Sequence, residues 1–241
     1  MITLPALAGV ILAGPAPQHL PLLLFWFSGY FLFHAASLWL KSRRQPRYWP
    51  PVRVYLILTA ALGVATLAAR PALAVWAVPF APLVAVAAWA ASTRRERSLA
   101  NDTATVLAAS LMTAVAFSAA AATTDPRWVW VWTVTALQFA YFFGTVLHVK
   151  ALIRERRNPR WARTSLAYHV TTTALLAALA ATGALSAAWF GGWAVVVVWV
   201  GLSVRAWWMP RRQVRRGPYR PMQIGLTEVA FSLLQAAAQL L

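Results

Sequence analysis

The sequence predicts an all-α fold, a polytopic bundle of transmembrane helices that forms one integral membrane domain over residues 1–241. Of these residues, 61% are hydrophobic and only 11% are charged, whereas about a quarter of the residues in a soluble domain are charged. The apolar residues occur in blocks of roughly 20, which is long enough for a helix to cross a bilayer. The alternating segments of about ten residues that mark a membrane β-barrel are absent from the sequence.

Eight apolar blocks are predicted to be full spans, and one short apolar segment precedes them. The predicted spans are residues 20–40, 51–69, 72–92, 103–123, 128–149, 164–184, 189–207 and 222–241. Residues 2–13 are shorter than one span, and we expect a re-entrant segment or the distal part of a longer helix. Pro50 and Pro51 begin the second span, where a missing N–H costs least. Asn101 or Asp102 is predicted to cap the fourth span.

The basic side chains predict the orientation of the chain. Of the 22 lysines and arginines, 20 lie in or beside alternate loops, and only Arg70 and Arg127 lie in the opposite ones. The basic loops are residues 41–50, 93–100, 150–163 and 208–221. The positive-inside bias predicts that these loops lie in the cytoplasm. The net charge of +17 is therefore interpreted as a signal of topology and not of nucleic-acid binding.

Polar side chains follow one face of several predicted spans at three- and four-residue steps. The first set is Tyr30, His34, Ser37 and Lys41; the second is Gln138, Tyr141, Thr145, His148 and Glu155; the third is Ser165, Tyr168, His169 and Thr172; the fourth is Glu228, Ser232, Gln235 and Gln239. Polar groups inside a membrane usually face the bundle interior. They hold helices together there, or they line a site.

The candidate ligand-binding residues combine these polar faces with the adjoining basic loop. They are His34, Lys41, Tyr141, His148, Lys150, Arg154, Glu155, His169 and Glu228. We expect them to surround one cytoplasm-facing cavity, because loops of like charge above a polar cavity attract anions. No metal or cofactor is predicted, since the chain contains no cysteine and no HxxxH or HxxE pair. A buried carboxylate at Glu228 needs a partner, which the sequence does not name.

Two stretches of the chain resemble each other. GYFLFHAASLWLKSRRQPRYW begins at Gly29, and AYFFGTVLHVKALIRERRNPRW begins at Ala140. Each opens on a Tyr-Phe pair, contains a histidine, and closes on two arginines followed by an amide, a proline, an arginine and an aromatic residue. Duplicated halves are common in membrane proteins and often place a binding site between the halves.

The runs RRERSLANDTATVLAASLMT, FAYFFGTVLHVKALIRER and SLAYH are similar to those of the YwiC-like bacterial membrane proteins. The resemblance implies a multi-pass protein of the bacterial inner membrane, and it implies no particular activity. The layout is also similar to that of the nine-helix UbiA-type prenyltransferases, whose aspartate-rich motifs hold Mg²⁺ and a prenyl diphosphate. The corresponding helix ends carry no paired aspartates here, and Mg²⁺ prefers carboxylates. Those ends carry instead His34, Ser37 and Lys41, and His148, Lys150 and Glu155.

Three functions remain open at this stage. The first is binding or movement of an amphiphilic anionic ligand, such as a lipid or isoprenoid, with membrane lipids as the other partners. The second is a membrane-embedded transferase of UbiA-like fold with a non-standard active site. The third is a non-catalytic membrane assembly protein, and the oligomeric state is left open in each case.

Overall fold

The computed structural model describes residues 1–187 and 192–240, and these residues form α-helices joined by short turns and no strand. The helices are α1 (Leu4–Ala13), α2 (His19–Lys41), α3 (Trp49–Ala69), α4 (Ala77–Ser92), α5 (Leu99–Ala120), α6 (Trp128–Val149), α7 (Pro159–Ala181), α8 (Trp193–Arg216) and α9 (Pro221–Leu240). Among the described residues, seven helical segments are long and apolar enough to cross a membrane. This confirms the predicted class, a polytopic helical membrane protein.

The helix α9 differs from the other long helices. It matches the predicted span 222–241 in position, but it is not among the seven apolar segments. Its 20 residues include Glu228 and three glutamines, which lower its hydropathy. The short first helix, α1, matches the predicted segment 2–13.

Several predicted loops are shorter than expected because helices extend into them. The helix α7 begins at Pro159 and α8 continues to Arg216, so most of residues 208–221 is helical. Helix α8 runs on until Gly217, whose φ of 85° an L side chain rarely adopts, and Pro218 follows. The predicted start of this span, residues 189–191, lies outside the described residues.

The chain divides into two compact units, Met1–Thr135 and Ala136–Leu241. The first unit contains α1 to α5 and the beginning of α6. Its most buried long helix is α5, against which α1 packs with Gly9 at the contact with Thr113. His19, the first residue of α2, is 4% exposed and packs against α5. Its Nε2 lies 2.9 Å from the Ala116 carbonyl, and its Nδ1 accepts from the Ala16 N–H. This histidine is therefore fully hydrogen-bonded and has a structural role.

The predicted cap of α5 is wrong. Ser98 is the residue before the helix, and its hydroxyl accepts a hydrogen bond of 3.3 Å from the Asn101 N–H. Asn101 instead donates its side-chain amide to the Glu96 carbonyl at 2.8 Å. Ser98 caps the helix about one turn before the predicted start of the span by accepting from one of the N–H groups that the first helical turn leaves free. The helix therefore begins at Leu99 rather than at residue 103.

The second unit contains the rest of α6 together with α7, α8 and α9. A single π-helical turn, Lys150–Arg154, follows α6. Such turns are rare in proteins, and those that occur are often found at functional sites. Near the ends of the helices, Leu152, Met209 and Ile224 form an apolar cluster. The interior of this unit is otherwise unusually polar, and it contains the candidate site.

Candidate functional site

Helices α6 and α9 are joined by a ladder of polar contacts. Gln138 donates its amide to Gln239 Oε1 at 3.0 Å. Tyr141 Oη lies 2.9 Å from Ser232 Oγ, and it also donates to the Glu228 carbonyl at 3.1 Å. The residue number rises along α6 while it falls along α9, so the two helices run antiparallel. Each rung joins the polar faces that the sequence predicts for these two helices.

The last rung of the ladder continues into a buried ion pair. Thr145 donates to Glu228 Oε2 at 3.0 Å. Arg205 Nη1 lies 2.6 Å from Glu228 Oε1, with the two side chains 4% and 14% exposed. The Arg205 guanidinium also lies over the ring of Phe231, 5.0 Å from its centroid. The carboxylate that the sequence leaves without a partner is thus paired with an arginine of α8.

Two histidines and two aromatic side chains lie next to this pair. His148 and His169 are fully buried, with ring centroids 6.2 Å apart. His169 also lies against Trp199 and Tyr168, at 5.9 Å and 5.7 Å between centroids. Arg205 is close enough to both histidines for its charge to act on them. Buried ionisable groups of this kind inside a membrane helix bundle mark a candidate functional site.

A separate basic groove opens on the surface of this unit, between the start of α7 and the end of α8. Its volume is about 610 Å³, and the described residues that line it include four arginines and no acidic side chain. The arginines are Arg156, Arg157, Arg163 and Arg211. Leu166, Ala206 and Trp207 contribute apolar surface. Trp207 also holds Arg211, whose guanidinium lies 4.7 Å from the indole centroid and donates to the Trp207 carbonyl at 3.0 Å.

The structure brings four of the nine predicted site residues into the interior of the second unit: Tyr141, His148, His169 and Glu228. Three others lie in or beside the turn that follows α6. Lys150 is buried against the ring of Trp161 at 4.9 Å, Arg154 is exposed, and Glu155 is partly exposed.

The remaining two predicted site residues belong to the first unit. His34 is exposed, and Lys41 forms an ion pair of 2.9 Å with Glu96. The two similar stretches therefore do not give their histidines the same environment, since His34 is exposed and His148 is fully buried. That these two residues share a cavity with the other seven stays a prediction.

Comparison with known proteins supports the sequence resemblance. Residues 1–117 match the family model described as YwiC-like protein. The resemblance to the YwiC-like proteins is confirmed. The chain is 28% identical to YwiC of Bacillus subtilis (strain 168) over 212 residues, which cover 88% of this chain and 83% of that protein. It is also 28% identical to a protein of Haemophilus influenzae over 232 residues, 96% of this chain and 90% of that protein.

No solved structure matches this chain, and the UbiA-type layout stays a prediction. The buried cluster lies beyond the 117 residues of the family match. The alignment with the Haemophilus influenzae protein leaves out at most nine of the 241 residues, so most of the second unit has a counterpart there. The similarity to these relatives therefore extends past the first unit.

Sequence reasoning missed two residues of the site. Arg205 was expected beside a basic loop, and the structure places it inside α8, buried. Trp199 was not singled out among the 14 tryptophans, and it is fully buried against His169. The available signal was Glu228, because a carboxylate within a span requires a cation, and Arg205 is one of the two basic residues, with Arg53, that lie within the predicted spans.

Proposed function

We propose that this protein binds an amphiphilic anionic ligand, a lipid or an isoprenoid with a charged head group, at the cytoplasmic side of the bacterial inner membrane. The observation that carries the proposal is the basic groove of the second unit. Four arginines and no carboxylate line it, so the groove attracts anions. Its volume of about 610 Å³ is within the range typical of small-molecule sites, roughly 300–1,000 Å³.

The two kinds of groove lining suit the two parts of such a ligand. Guanidinium groups bind phosphate and carboxylate oxygens through paired hydrogen bonds. Arg211 is already oriented by the indole of Trp207, so less conformational entropy is lost when it binds an anion. Leu166, Ala206 and Trp207 provide apolar contacts for the part of the tail nearest the head group.

The test compares an anionic with a zwitterionic lipid. Native mass spectrometry of the purified full chain in detergent would measure binding of dioctanoyl phosphatidic acid and dioctanoyl phosphatidylcholine. We expect the anionic lipid to bind more tightly. In the triple variant Arg156→Gln, Arg157→Gln, Arg211→Gln, the ratio of anionic to zwitterionic lipid affinity should fall by about 10-fold or more. Each charge-assisted hydrogen bond that is lost is worth about 1.5–3 kcal/mol.

The matched control removes three charges elsewhere. Arg215, Arg216 and Arg220 are exposed and lie outside the groove lining. Their triple replacement by glutamine lowers the net charge equally and should leave the preference intact. Equal loss in both triple variants would mean that only the overall positive charge attracts the lipid, and the groove proposal would then fail.

A further inference from the structure

The guanidinium of Arg205 is held in place but only partly used. Its Nη1 pairs with Glu228 at 2.6 Å, and its face lies on Phe231. Its Nε and Nη2 are buried and have no hydrogen-bond partner among the described residues. These two N–H groups form one edge of the guanidinium, the edge that receives two oxygens of a phosphate or carboxylate side by side.

The hydrogen bond of His169 defines which of its ring nitrogens is free. Nδ1 lies 2.6 Å from the Ser165 carbonyl oxygen, and a carbonyl only accepts, so Nδ1 carries the proton in the neutral ring. Nε2 is consequently an acceptor, and it too is buried without a partner in the described part of the chain. A Cβ at Gly144 would lie 3.0 Å from this atom, so Gly144 keeps the approach to Nε2 open.

The same interior contains further free nitrogens. Trp199 Nε1, which can only donate, and both ring nitrogens of His148 are buried and unpartnered among the described residues. In native proteins the large majority of buried side-chain polar atoms have a partner. Several such atoms in one region, on side chains that contact or electrostatically influence one another, point to a site that binds a polar group.

We propose that Arg205, Trp199 and His169 form a buried site for a singly charged phosphate group, which is H2PO4⁻ for the free ion and ROPO3H⁻ for a monoester. Two unprotonated phosphate oxygens accept from the free edge of Arg205, and a P–OH group accepts from Trp199 Nε1 through its oxygen while its hydrogen is donated to His169 Nε2. A carboxylate has no hydrogen to donate to that nitrogen. A singly charged phosphate is also favoured over a doubly charged one, because Glu228 already balances the charge of Arg205 and each further buried charge is costly.

This site is separate from the basic groove and does not depend on it. The phosphate has two sources, inorganic phosphate and the phosphate monoester head group of a lipid. Isothermal titration calorimetry of the full chain in detergent, at about pH 6, near the second pKa of a phosphate monoester, would measure binding of inorganic phosphate and of dioctanoyl phosphatidic acid. Binding of inorganic phosphate identifies the free ion as sufficient, and binding of the lipid alone identifies a lipid head group.

Three variants test the assignment. Arg205→Lys keeps a cation for Glu228 but removes the two-pronged edge, and we expect about 10-fold weaker binding or more. His169→Asn retains a donor for the Ser165 carbonyl and removes the acceptor, and Gly144→Ala places a methyl group against Nε2. Both variants should weaken phosphate binding. If Arg205→Lys fails to fold, these two variants test the proposed site in its place. Arg215→Lys, at an exposed position, should leave binding unchanged.

Other outcomes would overturn the assignment. The proposal fails if the unaltered protein binds neither probe, or if the three interior variants bind phosphate as tightly as Arg215→Lys does. It also fails if the triple groove variant loses inorganic phosphate while the interior variants retain it. Retention by the groove variant, with loss in the interior variants, supports a distinct buried site whatever the result for the groove lipid.

Discussion

Arg205 Nη1 lies 2.6 Å from Glu228 Oε1 in the interior of the second unit, and this pair connects α8 to α9. Glu228 in turn accepts a hydrogen bond from Thr145 of α6. One carboxylate thus bridges three helices. The pair also orients the Arg205 guanidinium, whose charge acts on both buried histidines, so it supports the proposed phosphate site as well as the bundle.

Replacing Glu228 by glutamine should destabilise the protein strongly. The substitution leaves Arg205 as a buried charge without its partner, and removing one member of a buried pair costs about 3–5 kcal/mol. Unfolding in mixed detergent micelles, followed by circular dichroism, measures the loss. The double variant Arg205→Met, Glu228→Gln should recover part of it, whereas Arg215→Ala on the exposed surface should change stability by less than about 0.5 kcal/mol. A Glu228→Gln protein as stable as the Arg215→Ala control would contradict this account.

Each side-chain hydrogen bond between α6 and α9 should contribute modestly to the free energy of unfolding. Tyr141→Phe removes the hydroxyl that contacts Ser232 and the Glu228 carbonyl. Side-chain hydrogen bonds in membrane bundles average about 0.6 kcal/mol and reach about 1.7 kcal/mol. A double-mutant cycle with Ser232→Ala isolates the coupling, and Tyr30→Phe at an exposed position serves as the control. A coupling energy of zero would show that the 2.9 Å contact does not stabilise the bundle.

The helical class and the polar face of α6 could be predicted from the sequence because both depend on local pattern. Apolar length indicates a span, and polar residues at three- and four-residue steps share one face. The stripes on α6 and α9 proved to be partners, rung by rung. The pairing itself was not predictable, since spacing shows which side chains share a face but not which helix covers that face.

Sequence reasoning misplaced Arg205 and His34 because local sequence does not determine burial. Arg205 follows a long apolar run and precedes a basic stretch, so it resembles the start of a loop. The helix nevertheless continues through Pro210 and ends at Gly217, which Pro218 follows. His34 and His148 each lie within one of the two similar stretches, yet only His148 is buried. Burial depends on the neighbouring helices, and the repeated stretches do not encode those.

Two glycines, Gly9 in the first unit and Gly225 in the second, allow a matched test of helix packing. A Cβ on Gly9 would overlap the Thr113 carbonyl and lie 2.8 Å from the Ala116 Cβ, so Gly9→Ala should force α1 away from α5. Overpacking of this kind costs about 1–3 kcal/mol. A Cβ on Gly225 of α9 would meet nothing within 4 Å, so Gly225→Ala should stabilise its helix by up to about 1 kcal/mol. Thermal unfolding in detergent should shift in opposite directions, and a stabilised Gly9→Ala protein would disprove close contact between α1 and α5.

The orientation in the membrane is the prediction on which the cytoplasmic placement of the groove depends. The 20-to-2 division of basic residues predicts that the loop containing Gln45 is cytoplasmic and that the turn containing Thr124 lies on the opposite side. The chain contains no cysteine, so Gln45→Cys and Thr124→Cys each introduce a single thiol, and both positions are exposed. A membrane-impermeant maleimide added to intact cells should label Thr124→Cys alone, and Gln45→Cys should be labelled only after the membrane is opened. Labelling of Gln45→Cys in intact cells, with Thr124→Cys protected, would reverse the orientation and place the groove outside the cytoplasm.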